Sequence, residues 1–452
     1  MTDREFTHQL RRGIGSAIVE LHNSEARLRY KPIALRCCLQ NIAYDWQSEG
    51  TKGGYLYSAI VALGAREEFL PSIANAYRKR ISYGLMTQLT DILVDYVRDG
   101  SEDVMNVLRE KYDLLRVSMS RQRVFPLRFC EREQFEYLML IFIQQGNWRT
   151  FKDCVEDAGR IILARKDDLC SDYDWFFDCA EDQFGKARVR GFFEESKETS
   201  LNVRAVFDAI NRAERSRENH QNELQKLSPI TAKDLVDEVR RTPPNSGKYY
   251  PGIGLIFKFV REAEQKDIVF LARCIETETN LLVKAKLLLA FRRVDYPSDI
   301  APLIEWADSD EEDLRDAAVM ALGRLRDPRI HNLAVRFLEN GDIDSGLTLM
   351  ESNYRRSDDD RIRKAVMRSR RVSHETQMSL RDIYLKYRSA ACKAALMHAY
   401  RNGQCGFCRF GIVEAMGRNG VLTDDILREC LWDSYDETRR YANRRIRRGG
   451  HG

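Results

Sequence analysis

Leu314-Arg-Asp-Ala-Ala-Val-Met-Ala-Leu-Gly323-Arg-Leu-Arg-Asp-Pro328 is the stretch that sets the architecture of the C-terminal half. Its apolar residues recur at helical spacing, with a basic residue in second place. The same pattern returns along the chain. Val283, Lys284, Leu287, Ala290, Phe291, Val294 and Pro297 lie 31 positions before Leu314, Arg315, Ala318, Ala321, Leu322, Leu325 and Pro328. Cys408, Arg409, Ala415, Met416 and Gly417 follow the central copy by 94 positions, about three such periods. Thr438, Arg439, Tyr441, Arg445 and Ile446 form a fourth copy. Gly346 to Asn353 and Gln377 to Leu385 fall where weaker copies belong, so the period runs from about residue 267 to 448. Stacked helix pairs of this kind build binding surfaces more often than enclosed catalytic pockets.

Asp308 to Leu338 resembles a HEAT repeat. An acidic turn leads into an Arg-x-x-Ala core helix, followed by Gly323, Asp327-Pro328 and a second amphipathic helix. The resemblance is strong for this unit, fair around 283 and 408, and poor elsewhere. It implies an all-α fold in which a HEAT-like α-solenoid follows an irregular helical N-terminal half, but it implies no particular chemistry. HEAT arrays act as protein scaffolds, as nucleic-acid cradles and, in the AlkD-type alkylpurine DNA glycosylases, as enzymes.

At 452 residues the chain exceeds one compact core, whereas a solenoid grows repeat by repeat. No apolar run reaches the roughly 18 residues needed to span a bilayer, and Met1-Thr-Asp-Arg-Glu5 is polar, so neither an anchor nor a secretory leader is expected. The 11 cysteines form no framework, and several lie beside Leu and Ala on apolar faces. Reduced thiols in a cytoplasmic protein are the expectation.

Charge is distributed unevenly. The net +4 conceals 22 Lys and Arg against 12 Asp and Glu from Arg355 to Gly452, an excess of ten that leaves −6 for the rest. Two runs hold most of it: Arg355, Arg356, Arg361, Arg363, Lys364, Arg368, Arg370 and Arg371, then Arg439, Arg440, Arg444, Arg445, Arg447 and Arg448. Arginine's planar fork pairs with phosphate at two points and stacks on bases, so these runs point to a polyanion. Arg355, Arg356, Arg363, Lys364, Arg368, Arg371, Arg418, Arg440, Arg444 and Arg447 are the expected contacts to nucleic acid, DNA ahead of RNA. Two other accounts stay open: Arg-Asp ladders within the array, with Asp358, Asp359 and Asp360 close at hand, and an acidic protein partner.

The N-terminal half is helical without that period, and β-signals are nearly absent. Arg241-Thr-Pro-Pro-Asn-Ser-Gly-Lys248 reads as a loop, placing a helical domain at 1–240 and a repeat domain at 250–448. Chemistry is densest from Asn41 to Tyr57, where Tyr44, Asp45, Trp46, Glu49 and Lys52 gather among Gly50, Gly53 and Gly54. Glycine lets backbone approach a ligand, and Tyr or Trp offers a face to a base. Asp172 to Asp178, with Asp174 and Trp175, is a second such cluster. The plainer account gives both to packing and capping. In the base-excising alternative, Asp45 with Tyr44 and Trp46, or Asp174 with Trp175, would shelter a flipped base and stabilise charge on the sugar. In AlkD-type enzymes such residues belong to the repeats, and here they do not.

Other signatures are weak. Cys405-Gly-Phe-Cys408, with Cys392 and His398 upstream, lacks a second Cys-x-x-Cys or a His pair, so no metal is expected. Gly252-Ile-Gly254 follows no strand, and no phosphate loop, nucleophile elbow or HExxH pair occurs. No cofactor is expected either. A protein scaffold remains the third function considered.

Overall fold

The computed structural model describes residues 1–79, 81–121, 129–144, 147–165, 173–226, 230–241 and 253–449, and leaves out some side chains within these ranges, those of Trp46, Asp174 and Trp175 among them. The loop expected at 241–248 and the pair Gly252/Gly254 therefore fall largely outside the described residues. The fold is all-α, with no strand among the described residues beyond an isolated Val372–Gly403 bridge. No helix among the described residues is long and apolar enough to cross a membrane. Contacts divide the chain into two compact units, Met1–Gln225 with Trp432–Ser434, and Lys226–Leu431 with Tyr435–Gly452.

In the first unit, helix Tyr83–Arg98 is the hub. It packs on Gly53–Ala62, Arg66–Arg78, Glu102–Arg121 and Phe129–Gln144. Its sequence explains this role: Met86, Leu89, Ile92, Leu93, Val94 and Tyr96 are all buried, covering well over one stripe of the helix. Gln88, fully buried, donates through Nε2 to the carbonyls of Cys38 and Gln40 at 3.1 and 2.8 Å and accepts from the Ile42 amide at 3.1 Å, fastening the end of Ser24–Cys38.

The second unit contains two sets of helices. The first comprises Leu281–Leu288, Glu312–Leu322, Ile343–Asn353, His374–Lys386, Gly406–Arg418 and Asp436–Gly449, each packed on the next. Their starts are 31, 31, 31, 32 and 30 residues apart. In the second set, Pro328–Asn340 packs on Asp359–Arg368, which packs on Lys393–Asn402. Gly346 lets the two sets approach closely, since a Cβ there would stand 2.7 Å from Leu338 Cγ and 3.1 Å from the Ala334 carbonyl.

Successive turns are tied by polar contacts. Asn353 donates to the carbonyls of Leu325 and Leu349 at 2.9 and 3.0 Å and accepts from the Asp327 amide at 3.0 Å. Asn419 makes the same three bonds, to Tyr384, Ala415 and Ser389, at 2.7, 2.8 and 2.7 Å. Beneath them Asp359 accepts from Tyr354, Tyr384 and Ser389 hydroxyls at 2.9, 3.0 and 2.5 Å, so one buried carboxylate organises three turns.

Candidate nucleic-acid interface

Basic residues stand at or just beyond the C-terminal end of each helix of the first set in the second unit. Arg293, Arg324, Arg355 and Lys386 stand 31 positions apart, Arg418 follows after 32 and Arg448 after a further 30. All six are exposed. Contacts between consecutive turns place them along one edge. Arg324 meets Asp295 at 3.5 Å, Asn353 reaches Leu325, Lys386 Nζ donates to the Glu351 carbonyl at 3.0 Å, and Arg418 donates to the Leu385 carbonyl at 3.4 Å. Arg445 closes the series, with its guanidinium 3.0 Å from where a Cβ on Gly417 would lie. With helices packing about 8–10 Å apart, six rungs cover roughly 45 Å. Arg326, Arg356, Arg388 and Arg447 widen the ladder, and all four are exposed. Among the described residues, no carboxylate lies within ion-pair distance of Arg355, Arg356, Arg388, Arg447 or Arg448.

In four of these six helices the opposite end is acidic. First turns carry Glu312 and Asp313, Asp344, Glu375, and Asp436 with Glu437. Such segregation matches the helix dipole, which favours carboxylates at N-termini and cations at C-termini. Arg324, Arg326, Arg355, Arg356 and Arg388 lie beyond their helices, in the turns, where the dipole alone asks for less.

The two arginine runs do not form one patch. The first spans helix Asp359–Arg368 from end to end, so Arg355 and Arg356 join the basic edge while Arg368 and Arg371 emerge at the other. Between them, Arg363 and Lys364 both pair with Asp360, the latter at 2.7 Å, holding that carboxyl below its ordinary range. Arg361 lies 3.4 Å from Asp358. Glu339, Asp360, Arg361, Lys364 and Arg368 line a groove of about 560 Å³ with mixed charge. In the second run, Arg440 pairs with Asp436 and Glu437, whereas Arg444 and Arg447 are exposed. A period-by-period alignment of basic residues finds the ladder in the sequence, but local charge density does not.

In the first unit, Asp45 caps the short helix Trp46–Glu49, accepting from the Gln47 amide at 3.2 Å and the Ser48 hydroxyl at 2.6 Å. Tyr44 is half exposed. The loop is organised by two members of the cluster at 41–57 whose pairing the sequence does not announce: Glu49 and Lys52, each 1% exposed at the side chain, lie 3.0 Å apart. Glu49 also accepts from the Tyr44 amide at 2.6 Å, and Lys52 donates to the Ile42 carbonyl at 3.2 Å. A cleft of about 780 Å³ opens elsewhere in this unit, between Glu102–Arg121 and Trp148–Arg165. Asp157 sits in it, reached by Arg160 at 2.7 Å, Tyr112 at 3.2 Å and Arg116 at 3.5 Å. Burial, with Asp157 alongside, pushes the Tyr112 hydroxyl up, and burial lifts the Cys154 thiol to about 12. A protonated thiol is a poor nucleophile, so this cleft offers polar binding groups without an activated cysteine.

No family model matches the chain, and no curated protein matches it. The crystal structure of an engineered protein aligns over 99% of this chain and 98% of its own, at 12% identity and a TM-score of 0.20.

Proposed function

We propose that the second unit is a HEAT-like α-solenoid that binds a nucleic-acid backbone, DNA first, along the edge bearing Arg293, Arg324, Arg355, Lys386, Arg418 and Arg448. The exposed basic ladder at a 31-residue spacing is the observation that carries this reading. Cations repeated at near-constant intervals suit a ligand whose charge also repeats, and phosphate contacts need no base readout. Six contacts in a row would supply affinity through counterion release rather than through a deep pocket. The base-excising alternative would need Asp45 free to face an extruded nucleotide, but its carboxylate is engaged by Gln47 and Ser48. Asp174 and Trp175 have side chains outside the described residues.

Fluorescence anisotropy with a labelled random-sequence DNA duplex, and with RNA of the same sequence, tests the proposal across a salt series. The expected slope of log K against log salt is about −4 to −6, and Arg355→Ala with Arg448→Ala should reduce its magnitude by about 2. Arg363→Ala with Lys364→Ala, which removes two cations already paired to Asp360, should leave the slope close to wild type. Absence of binding at low salt, or equal effects of the two double variants, would refute a ladder interface. Binding of an acidic polypeptide in place of both nucleic acids would assign the edge to a protein scaffold.

A further inference from the structure

At the ends of the same helices opposite the ladder, two cysteines and a histidine converge. Cys405 is the N-cap of helix Gly406–Arg418 and Cys408 lies in its first turn, while His374 is the first residue of helix His374–Lys386, capped by Ser373. These two helices pack directly on each other. His374 Nδ1 lies 3.1 Å and Nε2 3.8 Å from Cys408 Sγ, and the ligand atoms of His374, Cys405 and Cys408 all lie within 4.8 Å of one another. Both cysteines are buried and neither forms a disulfide, while His374 is partly exposed, leaving a side from which an ion can enter.

The convergence has two structural causes. An N-cap residue and the residue three places on face each other across the first turn, the relation that capping boxes exploit, so Cys-x-x-Cys at this location presents both sulfurs together. Cys405 stands 31 residues after His374, so the repeat brings equivalent positions of neighbouring helices side by side. The third ligand therefore comes from the preceding repeat. Cys392 and His398, the partners that sequence spacing suggested, are not in the cluster.

We propose that Cys405, Cys408 and His374 bind a divalent cation of the zinc class, fastening the first turns of two consecutive repeats to each other. Two sulfurs and an imidazole form a donor set that favours zinc over calcium or magnesium, which take oxygen ligands. Zn–S bonds of about 2.3 Å and Zn–N bonds of about 2.1 Å separate tetrahedral ligands by roughly 3.6–3.8 Å, so small side-chain rotations bring these three atoms into place. Backbone amides of the first helical turn favour negative charge on the two sulfurs. Among the described residues, no fourth His, Cys, Asp or Glu joins the group, so the fourth position falls to water or an external ligand.

The test uses the full chain, purified under reducing conditions, stripped with chelator and titrated with Zn²⁺ or Co²⁺ alone. One ion per chain should bind, and the cobalt form should display thiolate charge-transfer absorption together with the intense visible bands of a tetrahedral site. Cys408→Ser and His374→Ala should each lower metal content at least tenfold, whereas Cys392→Ser and His398→Ala should keep it. Wild-type protein that takes up neither ion while its thiols remain titratable would overturn the proposal. So would a Cys405–Cys408 disulfide that forms in the presence of excess Zn²⁺, or equal metal loss in Cys392→Ser. Because the cobalt spectrum is read on wild-type protein, the test stands even if a variant fails to fold.

Discussion

The two units bury polar groups by different means. The first seals the charge pair of Glu49 with Lys52 inside a loop of irregular course. The second repeats small solutions at each turn, with Asn353 and Asn419 making matching bonds and Asp359 gathering three hydroxyls. A buried pair places much of the local stability on two atoms, whereas repetition spreads it over many. Perturbing the pair should therefore cost more than perturbing any one repeated tie.

The largest effect is expected from Lys52→Met, which leaves Glu49 charged and sealed. Breaking a buried pair in this way costs about 3–5 kcal/mol, while Glu49→Gln added to Lys52→Met should recover most of that loss because the amide oxygen still accepts from Tyr44. Urea unfolding of the two variants measures both numbers. A single variant within about 0.5 kcal/mol of wild type would erase the contrast.

In the second unit, Asp359→Ala strands the hydroxyls of Tyr354, Tyr384 and Ser389 and should cost about 3 kcal/mol. Asn353→Ala and Asn419→Ala should each cost about 1–2 kcal/mol. Lying 66 residues apart on different turns, the two should combine additively within about 0.5 kcal/mol. Strong coupling between them would mean that the turns act as one rigid body rather than as a series of local ties.

Why the repeats were legible in sequence, and the sites less so, follows from the same contrast. Leu314 to Pro328 declares itself because its core face is purely apolar. The copies at Gly346 and Gln377 are faint for physical reasons: Gly346 gives up its side chain to admit Leu338, and Gln377 is polar yet fully buried. Local density misjudged the first arginine run, since the ten-residue helix Asp359–Arg368 separates its two ends by about 15 Å. Asp45, Tyr44 and Trp46 drew attention as unusual residue types, but nothing in composition distinguishes a capping carboxylate from a catalytic one. The His374 and Cys405 pairing required knowing that residues one period apart are neighbours.

The smallest effect separates the units by acidity. In the first unit, burial raises the carboxyls of Asp91 and Asp95, so their contribution is fully present below the ordinary value of 3.8 and is lost as pH rises through their folded values. In the second, the Asn280 amide and then Arg240 lower Glu278, Arg329 lowers Asp299 and Asp327, and Lys364 with Arg363 lowers Asp360. These contributions are present above ordinary values of 4.5 for Glu278 and 3.8 for the aspartates, and are lost as pH falls through the depressed folded values. Asp316 and Glu351, raised by burial, oppose the trend but are outnumbered. Exposure and solvent screening keep each contribution small. Acidification below about pH 4.5 should therefore loosen the second unit first, read as earlier loss of amide protection between residues 278 and 368 than between 83 and 98. Equal loss in both segments would show that the arginine partners contribute little, and the units would then differ in where they bury polar groups but not in how they respond to acid.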